Sequence, residues 1–315
     1  MVYFEMTAPE LDKTLKDIGK RLSKGDVTEA EIVKLYRRLC IPGEEIADFP
    51  ARIALRSAQF GYFRWPWKIR NYYRGKRVLD VGCGQGTDGI GFVTLGATTY
   101  CGVDAGAKLD IDKVKNKNVP RVDGVTQRTG LGWTPNEIMA AFGGRISIVR
   151  GVTTDLLAEH ARQPDSPKFG VVALHTVTEH LMDLKGVLSE CRALMEDDGN
   201  LIFLHDNFYS WKGHHMIPKS VNDLDESNPE HMQYADWNHL IFDPPPGHYF
   251  TRALNKIRLD DLRAVTAQFF DIEIWDEIVN DFGRLTDEIL ARHPDYSRRD
   301  LSVSNVFCVA RPKAG

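Results

Sequence analysis

Residues 78–89, VLDVGCGQGTDG, decide the fold that this sequence is expected to adopt. An apolar run leads into three glycines at alternate positions, Gly82, Gly84 and Gly86, and then into a helical pattern. Glycine allows positive φ and lets a ligand approach the main chain without a side-chain clash. A helix start also presents unpaired N–H groups that bind a carboxylate or a phosphate. The stretch therefore predicts a strand, a turn and a helix that together bind a cofactor.

An acidic residue, Asp104, ends the next predicted strand, TTYCGVD at residues 98–104. A carboxylate in that place can accept hydrogen bonds from the hydroxyls of a ribose. The spacing G-x-G-x-G differs from the G-x-G-x-x-G of dinucleotide-binding turns, so a nucleoside cofactor other than a dinucleotide is favoured. A dinucleotide-dependent oxidoreductase is the weaker alternative, and Asp104 would also suit a turn or a helix cap.

Around this stretch, short β-branched runs alternate with helical patterns, which is typical of βαβ units. Strands are predicted at residues 76–81, 98–104, 145–151, 171–176, 200–206, 269–275 and 304–311. Helices are predicted at residues 181–194, 259–269 and about 281–292, with a turn at Asp198-Gly199. The predicted fold class is α/β, a Rossmann-like doubly wound sheet of seven strands.

Two segments depart from this rhythm. Residues 1–72 lack a strand pattern and predict a helical cap or lid, with a helix at residues 29–39 capped by Thr28 and a second apolar segment, SAQFGYFRW, at residues 57–65. In that segment Gln59, Tyr62 or Arg64 would touch the cofactor if the segment is a lid; a docked helix is the alternative.

The remaining domain, 73–315, carries a long insertion at about 207–255, rich in proline, histidine and aromatic residues. Loops of this length are usually functional, so substrate binding is assigned to it.

Composition and charge narrow the class of protein. Hydrophobic residues make up 43% and charged residues 27% of the chain, which is typical of globular proteins. The net charge of -4 offers no positive field for nucleic acid. No apolar run approaches the roughly 20 residues of a membrane span, and the first residues lack a secretory signal. We expect a cytoplasmic protein with neither nucleic acid nor membrane as partner; a homo-oligomer stays open.

With these motifs, the sequence resembles the class I S-adenosylmethionine-dependent methyltransferases. The resemblance covers about residues 76–205 and the terminal strand. It rests on LDVGCGQG at residues 79–86, on Asp104, and on residues 171–203, VVALHTVTEHLMDLKGVLSECRALMEDDGNLIF, which look like the family's fourth strand, helix and fifth strand. Many relatives have the pair seen here as Glu179-His180, whereas the family's Gly-Gly turn is replaced by Asp198-Gly199.

The resemblance implies S-adenosylmethionine as the cofactor. The residues it assigns to cofactor binding are Gly82, Gly84, Gly86, Asp104, Thr154, Asp155 and His175. The glycines would line the methionine moiety and the ribose, Asp104 would hold the ribose hydroxyls, and His175 would lie beside the methionyl end. Asp155, with Thr154 as neighbour, would bind the adenine amine, although an acidic residue that caps the next helix would look the same.

Histidines are concentrated after the fifth predicted strand, where six of the chain's ten lie between residues 204 and 250. In doubly wound folds, ligands bind beyond the carboxyl ends of the strands. Histidine is also the natural base near neutral pH. The residues assigned to catalysis are His205, Asp206, His214, His215 and His248. Substrate binding, capping or packing are the alternatives for each histidine. Asp206 with several histidines would suit a divalent metal, but the spacing matches no metal motif, so no metal ligands are predicted.

The predicted function is O-methylation of a hydroxyl on a saccharide or another polar small molecule, because a hydroxyl acceptor must lose a proton to a base or a metal ion. The sequence is also diffusely similar to bacterial methyltransferases that modify sugars or secondary metabolites. Aromatic residues of the insertion, such as Trp211 and Trp237, would form either a substrate platform or, as favoured, a small core. N- or C-methylation of a small metabolite, and cofactor binding without catalysis, are the alternative functions.

Overall fold

The computed structural model describes residues 51–115, 130–163 and 166–313, and these form two compact units. The first unit comprises the described residues up to 173 together with 194–196, and the second comprises 174–193 and 197–313. The predicted helix at 29–39 with its Thr28 cap, like the rest of the predicted cap up to residue 50, lies outside the described residues. The predicted boundary between the cap at residues 1–72 and the domain at residues 73–315 stays a prediction.

In the described residues, seven strands form one mixed sheet in the order β3-β2-β1-β4-β5-β7-β6, which confirms the predicted fold class. The strands are β1 (Arg77–Val81), β2 (Thr99–Asp104), β3 (Ile146–Arg150), β4 (Phe169–His175), β5 (Met195–Asp206), β6 (Phe270–Val279) and β7 (Val303–Pro312). Pairing is parallel among β1, β2, β3 and β4, and β7 runs antiparallel to both β5 and β6. Each predicted strand is present, with shifted ends.

The helices of the first unit are α1 (Ala51–Gln59), α2 (Arg64–Lys68), α3 (Arg70–Tyr73), α4 (Asp88–Thr94), α5 (Pro135–Ala141) and α6 (Thr153–Arg162). Strand β1 is buried from Val78 to Val81, as expected of a strand inside a parallel sheet, and its buried Asp80 accepts a hydrogen bond from the Tyr100 hydroxyl at 2.8 Å. Helix α4 packs closely on this layer, since a Cβ at Gly89 would lie 2.5 Å from the Tyr100 ring.

The segment at residues 57–65, predicted as a lid or a docked helix, packs into the first unit. Phe63 and Trp65 are buried, and a Cβ at Gly91 of α4 would lie 2.9 Å from Pro66. Tyr62 accepts a hydrogen bond on its hydroxyl from the Lys115 amide at 3.3 Å, and burial is the main cause that raises the pKa of Tyr62 to about 12. These contacts are those of a docked helical segment.

The second unit contains short helices and two long ones. Its α-helices are α7 (Leu184–Leu194, of which Leu194 belongs to the first unit), α8 (Pro229–Met232), α9 (Tyr249–Arg252), α10 (Leu259–Phe269), α11 (Asp287–Arg292) and α12 (Arg298–Ser302). Its 3-10 helices are Thr178–His180, Val221–Asp223 and Asn238–Leu240. Helix α10 has the predicted bounds. The predicted turn at Asp198-Gly199 is wrong, because β5 already begins at Met195 and runs through both residues.

The insertion at 207–255 folds around buried aromatic rings. Trp211 and Trp237 are fully buried and pack with Leu285 and Leu301, and a neighbouring cluster includes Phe250. Each indole also pairs its N–H, Trp211 with Asp236 at 3.1 Å and Trp237 with the Tyr209 carbonyl at 3.0 Å. These two rings therefore form a core, as favoured, and offer no face to a substrate.

None of the described helices is long and apolar enough to cross a membrane.

One ion pair connects the core around Trp211 and Trp237 to the segment before α11. Arg284 contacts both carboxylate oxygens of Asp236, at 2.5 Å and 2.6 Å, and Trp211 donates to the same carboxylate. Burial acts to raise the pKa of Asp236, but the hydrogen bonds from Arg284 and Trp211 outweigh it and leave the pKa lowered. A carboxylate whose pKa is lowered by folding contributes stability at neutral pH, and that contribution is lost as the pH falls.

We therefore expect Asp236→Asn to lower the free energy of unfolding at pH 7 by about 2 kcal/mol, the usual size for hydrogen bonds to a charged group. Thermal unfolding of the variant and the parent protein, followed by circular dichroism from pH 7 to pH 3, measures this. The difference should shrink as the pH falls below about 4, because the carboxylate of the unfolded chain then binds protons more readily than that of the folded chain, whose pKa is lowered. A difference that stays constant over this range would contradict the assignment.

Candidate active-site clusters

The glycine turn after β1 belongs to the first unit. Gly82, Gly84 and Gly86 have φ values of 73°, 61° and 67°, in the region that favours glycine. A Cβ at Gly86 would lie 2.4 Å from the side chain of Ile148, whereas a Cβ at Gly84 would meet nothing within 4 Å in the described chain. Packing and backbone conformation thus both require glycine at 86, and the turn has an open side at Gly84.

Asp104, at the end of β2, is hydrogen-bonded to this turn. One carboxylate oxygen accepts from the Gly84 amide at 2.9 Å and the other from the Gly106 amide at 2.6 Å. An ionised carboxylate has about four acceptor sites, so each oxygen keeps capacity for a further donor. The predicted glycines and the predicted ribose acid are therefore brought together, with the carboxylate held in a fixed orientation.

Two side chains of the turn carry buried polar atoms. Gln85 Oε1 and Thr87 Oγ1 have no hydrogen-bond partner among the described residues. An unsatisfied buried polar atom costs about 1–3 kcal/mol, so these atoms indicate a polar ligand. Gln85 and Thr87 were not assigned from the sequence, although both lie within the GQGT stretch at residues 84–87. With the open side at Gly84 and the fixed Asp104 carboxylate, they fit a nucleoside cofactor.

The other residues assigned to the cofactor have different surroundings. Asp155 is exposed at the third position of α6, where its carboxylate accepts from the Val152 amide at 2.9 Å. It thus caps the helix, the alternative left open by the sequence. Thr154 is exposed beside it. His175 is half-buried at the end of β4 and is part of the second unit. The cofactor roles of these three residues stay predictions.

The second unit holds a cluster that we call the Glu179 cluster: Glu179, His180, His205, Asp206 and His215. Glu179 lies in the 3-10 helix after β4 with 2% of its surface exposed. Its Oε1 is 3.7 Å from His180 Nε2, and its Oε2 is 3.9 Å from His205 Nδ1 and accepts from the Asp206 amide at 3.4 Å. Burial, followed by the nearby Asp206 charge, raises the pKa of Glu179 to about 8.

His180 and His215 form the outer part of the cluster. His180 Nδ1 is 2.8 Å from the Ala253 carbonyl, and its ring centroid is 5.1 Å from that of His215. His215 has a φ of 56°, an uncommon backbone conformation for a residue with a side chain, and its Nε2 is 4.0 Å from Asp206 Oδ2. Burial lowers the pKa of His215 to about 4, against the opposing effect of the Asp206 charge.

Asp206 and His205 come from the end of β5. Asp206 accepts a short hydrogen bond from the side-chain amide of Asn305. Its carboxylate also lies 3.9 Å from Lys212 Nζ. His205 is buried, with Nδ1 2.9 Å from Thr178 Oγ1, and burial lowers its pKa to about 4. The structure therefore brings together three of the five residues assigned to catalysis, His205, Asp206 and His215.

His214 and His248 lie elsewhere in the second unit, against the ring of Tyr234. His214 is fully buried, its Nδ1 accepts from the Met216 amide at 3.0 Å, and burial lowers its pKa to about 2. His248 accepts from the Phe250 amide at 3.2 Å and so caps α9. Capping accounts for His248, whereas the buried Nε2 of His214 has no hydrogen-bond partner among the described residues. The catalytic role of both side chains stays a prediction.

Glu179 and His180 were not assigned to catalysis, although both follow the fourth predicted strand, at the end where the acceptor is expected to bind. Their place in the cluster depends on His215 and Ala253, which are distant in sequence.

The seven-stranded sheet, with a glycine turn after β1 and an acidic partner at the end of β2, is the architecture of a Rossmann-like α/β protein. A family model described as a methyltransferase domain matches residues 42–275, and the chain belongs to this family. It is thus a methyltransferase with S-adenosylmethionine as its cofactor, as the sequence predicted. No curated protein matches the sequence at a significant level.

One similar solved structure is an S-adenosylmethionine-dependent methyltransferase from Mesorhizobium loti. Its sequence is 13% identical, the match covers 79% of this chain and 97% of that chain, and the TM-score is 0.41. A cyclopropane-fatty-acyl-phospholipid synthase-like protein from Lactobacillus casei has 11% identity, with 84% and 93% covered and a TM-score of 0.45. Likeness at this level says nothing about the acceptor of this chain.

Proposed function

We propose that this methyltransferase transfers a methyl group to a hydroxyl oxygen of a small polar acceptor, with a saccharide as the preferred class. The observation that carries this proposal is the Glu179 cluster, in which Asp206, His180 and His215 lie together after the carboxyl ends of β4 and β5. A hydroxyl is too weakly acidic to ionise unaided at neutral pH, so its methylation needs such a group of basic or metal-binding side chains.

The cofactor half of the proposal rests on the first unit. Bound S-adenosylmethionine supplies a methyl group on a sulfonium, whose C–S bond breaks as the new O–C bond forms. Asp104 holds the ribose hydroxyls, because its carboxylate is oriented by two amides and has acceptor capacity left. The open side at Gly84 lets the cofactor approach the main chain, and Gln85 and Thr87 bind its polar atoms.

The acceptor half rests on the second unit. The Glu179 cluster takes up the hydroxyl proton as the oxygen becomes methylated, which leaves a methyl ether and S-adenosylhomocysteine. The Tyr249 ring, 6.4 Å from His215 between centroids, borders the cluster and would pack against a sugar ring. A net charge of -4 favours a small acceptor over a nucleic acid.

Transfer of label from methyl-labelled S-adenosylmethionine tests this proposal. The purified protein is incubated with panels of saccharides, phenols, small amines and short peptides, and the products are separated by class. We expect label in an acid- and base-stable ether of a hydroxylated acceptor. Label that enters amines or carbon atoms alone would replace this proposal with N- or C-methylation, and cofactor binding without transfer to any panel would point to a non-catalytic protein.

A further inference from the structure

Three side chains of the Glu179 cluster converge on one point. Glu179, His180 and His215 each offer one ligand atom, and these three atoms lie within 4.8 Å of one another. Tetrahedral ligands on a metal with bonds of about 2.1 Å are roughly 3.4 Å apart. Glu179 Oε1 and His180 Nε2 are 3.7 Å apart, close to that spacing, and the ligand atom of His215 lies within 4.8 Å of the other two ligand atoms.

The orientation of His180 is that of a metal ligand. A carbonyl oxygen can only accept a hydrogen bond, so His180 Nδ1 donates to Ala253 across 2.8 Å. In the neutral ring Nε2 then presents a lone pair, and this nitrogen lies 3.7 Å from Glu179 Oε1. Metal-bound histidines almost always fix their other ring nitrogen in this way, often on a backbone carbonyl.

Glu179 supplies the second, independent observation. Its side chain is 2% exposed, yet Oε1 has no hydrogen-bond partner among the described residues. Oε2, in contrast, is engaged by the Asp206 amide and lies near Thr178. A buried carboxylate oxygen that lacks a hydrogen bond requires a cation or a proton beside it, and the ligand atoms of two imidazoles lie within 4.8 Å of the Glu179 ligand atom.

We infer that Glu179, His180 and His215 bind one divalent transition-metal ion, with Asp206 as the next available ligand. Two imidazoles and a carboxylate suit zinc, manganese, iron or cobalt better than magnesium or calcium, which prefer sets of oxygen ligands. Asp206 Oδ2 lies 4.0 Å from His215 Nε2, while its Oδ1 is held by Asn305. The protein thus provides three or four ligands and leaves room for an exogenous oxygen.

The role of this ion rests on the proposed function. At an open coordination position the ion would bind the acceptor's hydroxyl oxygen and stabilise its deprotonated form, as bound metals do for water. The proton would pass to solvent or to a side chain of the cluster. The binding of the ion itself stands without the proposed function, because it depends on the geometry of the second unit.

Titration calorimetry of the chelator-treated full chain with zinc and, separately, with manganese tests the site. We expect one ion per chain, and at least a tenfold loss of affinity in His180→Ala, His215→Ala and Glu179→Gln. The matched control is His160→Ala, a half-buried histidine on α6 in the first unit, which should bind the ion like the parent chain. Circular dichroism, measured on every variant, shows that the fold is intact. The affinity for S-adenosylmethionine shows that the cofactor site is intact.

Absence of binding in the parent chain, or unchanged binding in folded His180→Ala and His215→Ala, would overturn the metal site. The role is tested separately, by labelled transfer to the panel of acceptors with and without chelator. Transfer at full rate after metal removal would overturn the role of the ion and leave O-methylation standing. Metal binding at the cluster with label only in amines would overturn the proposed function and leave the metal site standing.

Discussion

Replacing Asp104 by alanine is expected to weaken S-adenosylmethionine binding by at least 100-fold. Its carboxylate is proposed to accept from two ribose hydroxyls, and hydrogen bonds to a charged group contribute about 1.5–3 kcal/mol each. Every 1.4 kcal/mol changes the dissociation constant tenfold, so the loss of both bonds exceeds two orders of magnitude. The variant also frees the Gly84 and Gly106 amides, which the carboxylate now holds at 2.9 Å and 2.6 Å.

Calorimetric titration with S-adenosylmethionine and with S-adenosylhomocysteine measures this effect, and both ligands should lose affinity alike because both carry the ribose. Asp110→Ala is the control, since Asp110 is exposed in the same unit and contacts Asn136 instead of the glycine turn. A folded Asp104→Ala variant that binds both ligands within about threefold of the parent chain would refute the role of Asp104 and the location of the cofactor site.

The strand, the glycine turn and the position of Asp104 in the first unit could be predicted from the sequence because their determinants are local. The glycines need positive φ within one short turn, and that need is visible in the residue types themselves. The position of Asp104 follows from the parallel pairing of β1 with β2, in which Val81 lies opposite Val103. What the sequence left open at Asp155 was a choice between two roles that need the same residue type, and only coordinates show the hydrogen bond to the Val152 amide.

The Glu179 cluster could be predicted only in part, because side chains distant in sequence create it. The concentration of histidines after β5 was visible, but the residue types do not distinguish His215, which lies beside Asp206, from His214, which is buried against Tyr234. His215 also has a positive φ, and nothing in its residue type signals that conformation. Glu179 is likewise indistinguishable in sequence from a surface glutamate.

Asp206→Asn is expected to lower the turnover number of methyl transfer by at least 100-fold, while S-adenosylmethionine affinity stays within about twofold. The change preserves the size of the side chain and its contact with Asn305, but it removes the negative charge that faces Lys212 at 3.9 Å and His215 at 4.0 Å. Positioned groups that assist proton removal typically contribute 10²–10⁴-fold to rate, so the loss falls on kcat. Initial rates over a range of acceptor concentrations separate kcat from KM.

Asp271→Asn serves as the matched control, because Asp271 is an exposed aspartate on β6 in the same unit. It should keep the parent kcat and KM. A rise in KM for the acceptor at unchanged kcat in Asp206→Asn would mean that Asp206 contributes equally to ground-state and transition-state binding. In that case the carboxylate would only hold the acceptor, and the removal of the hydroxyl proton would have to be assigned to a different group.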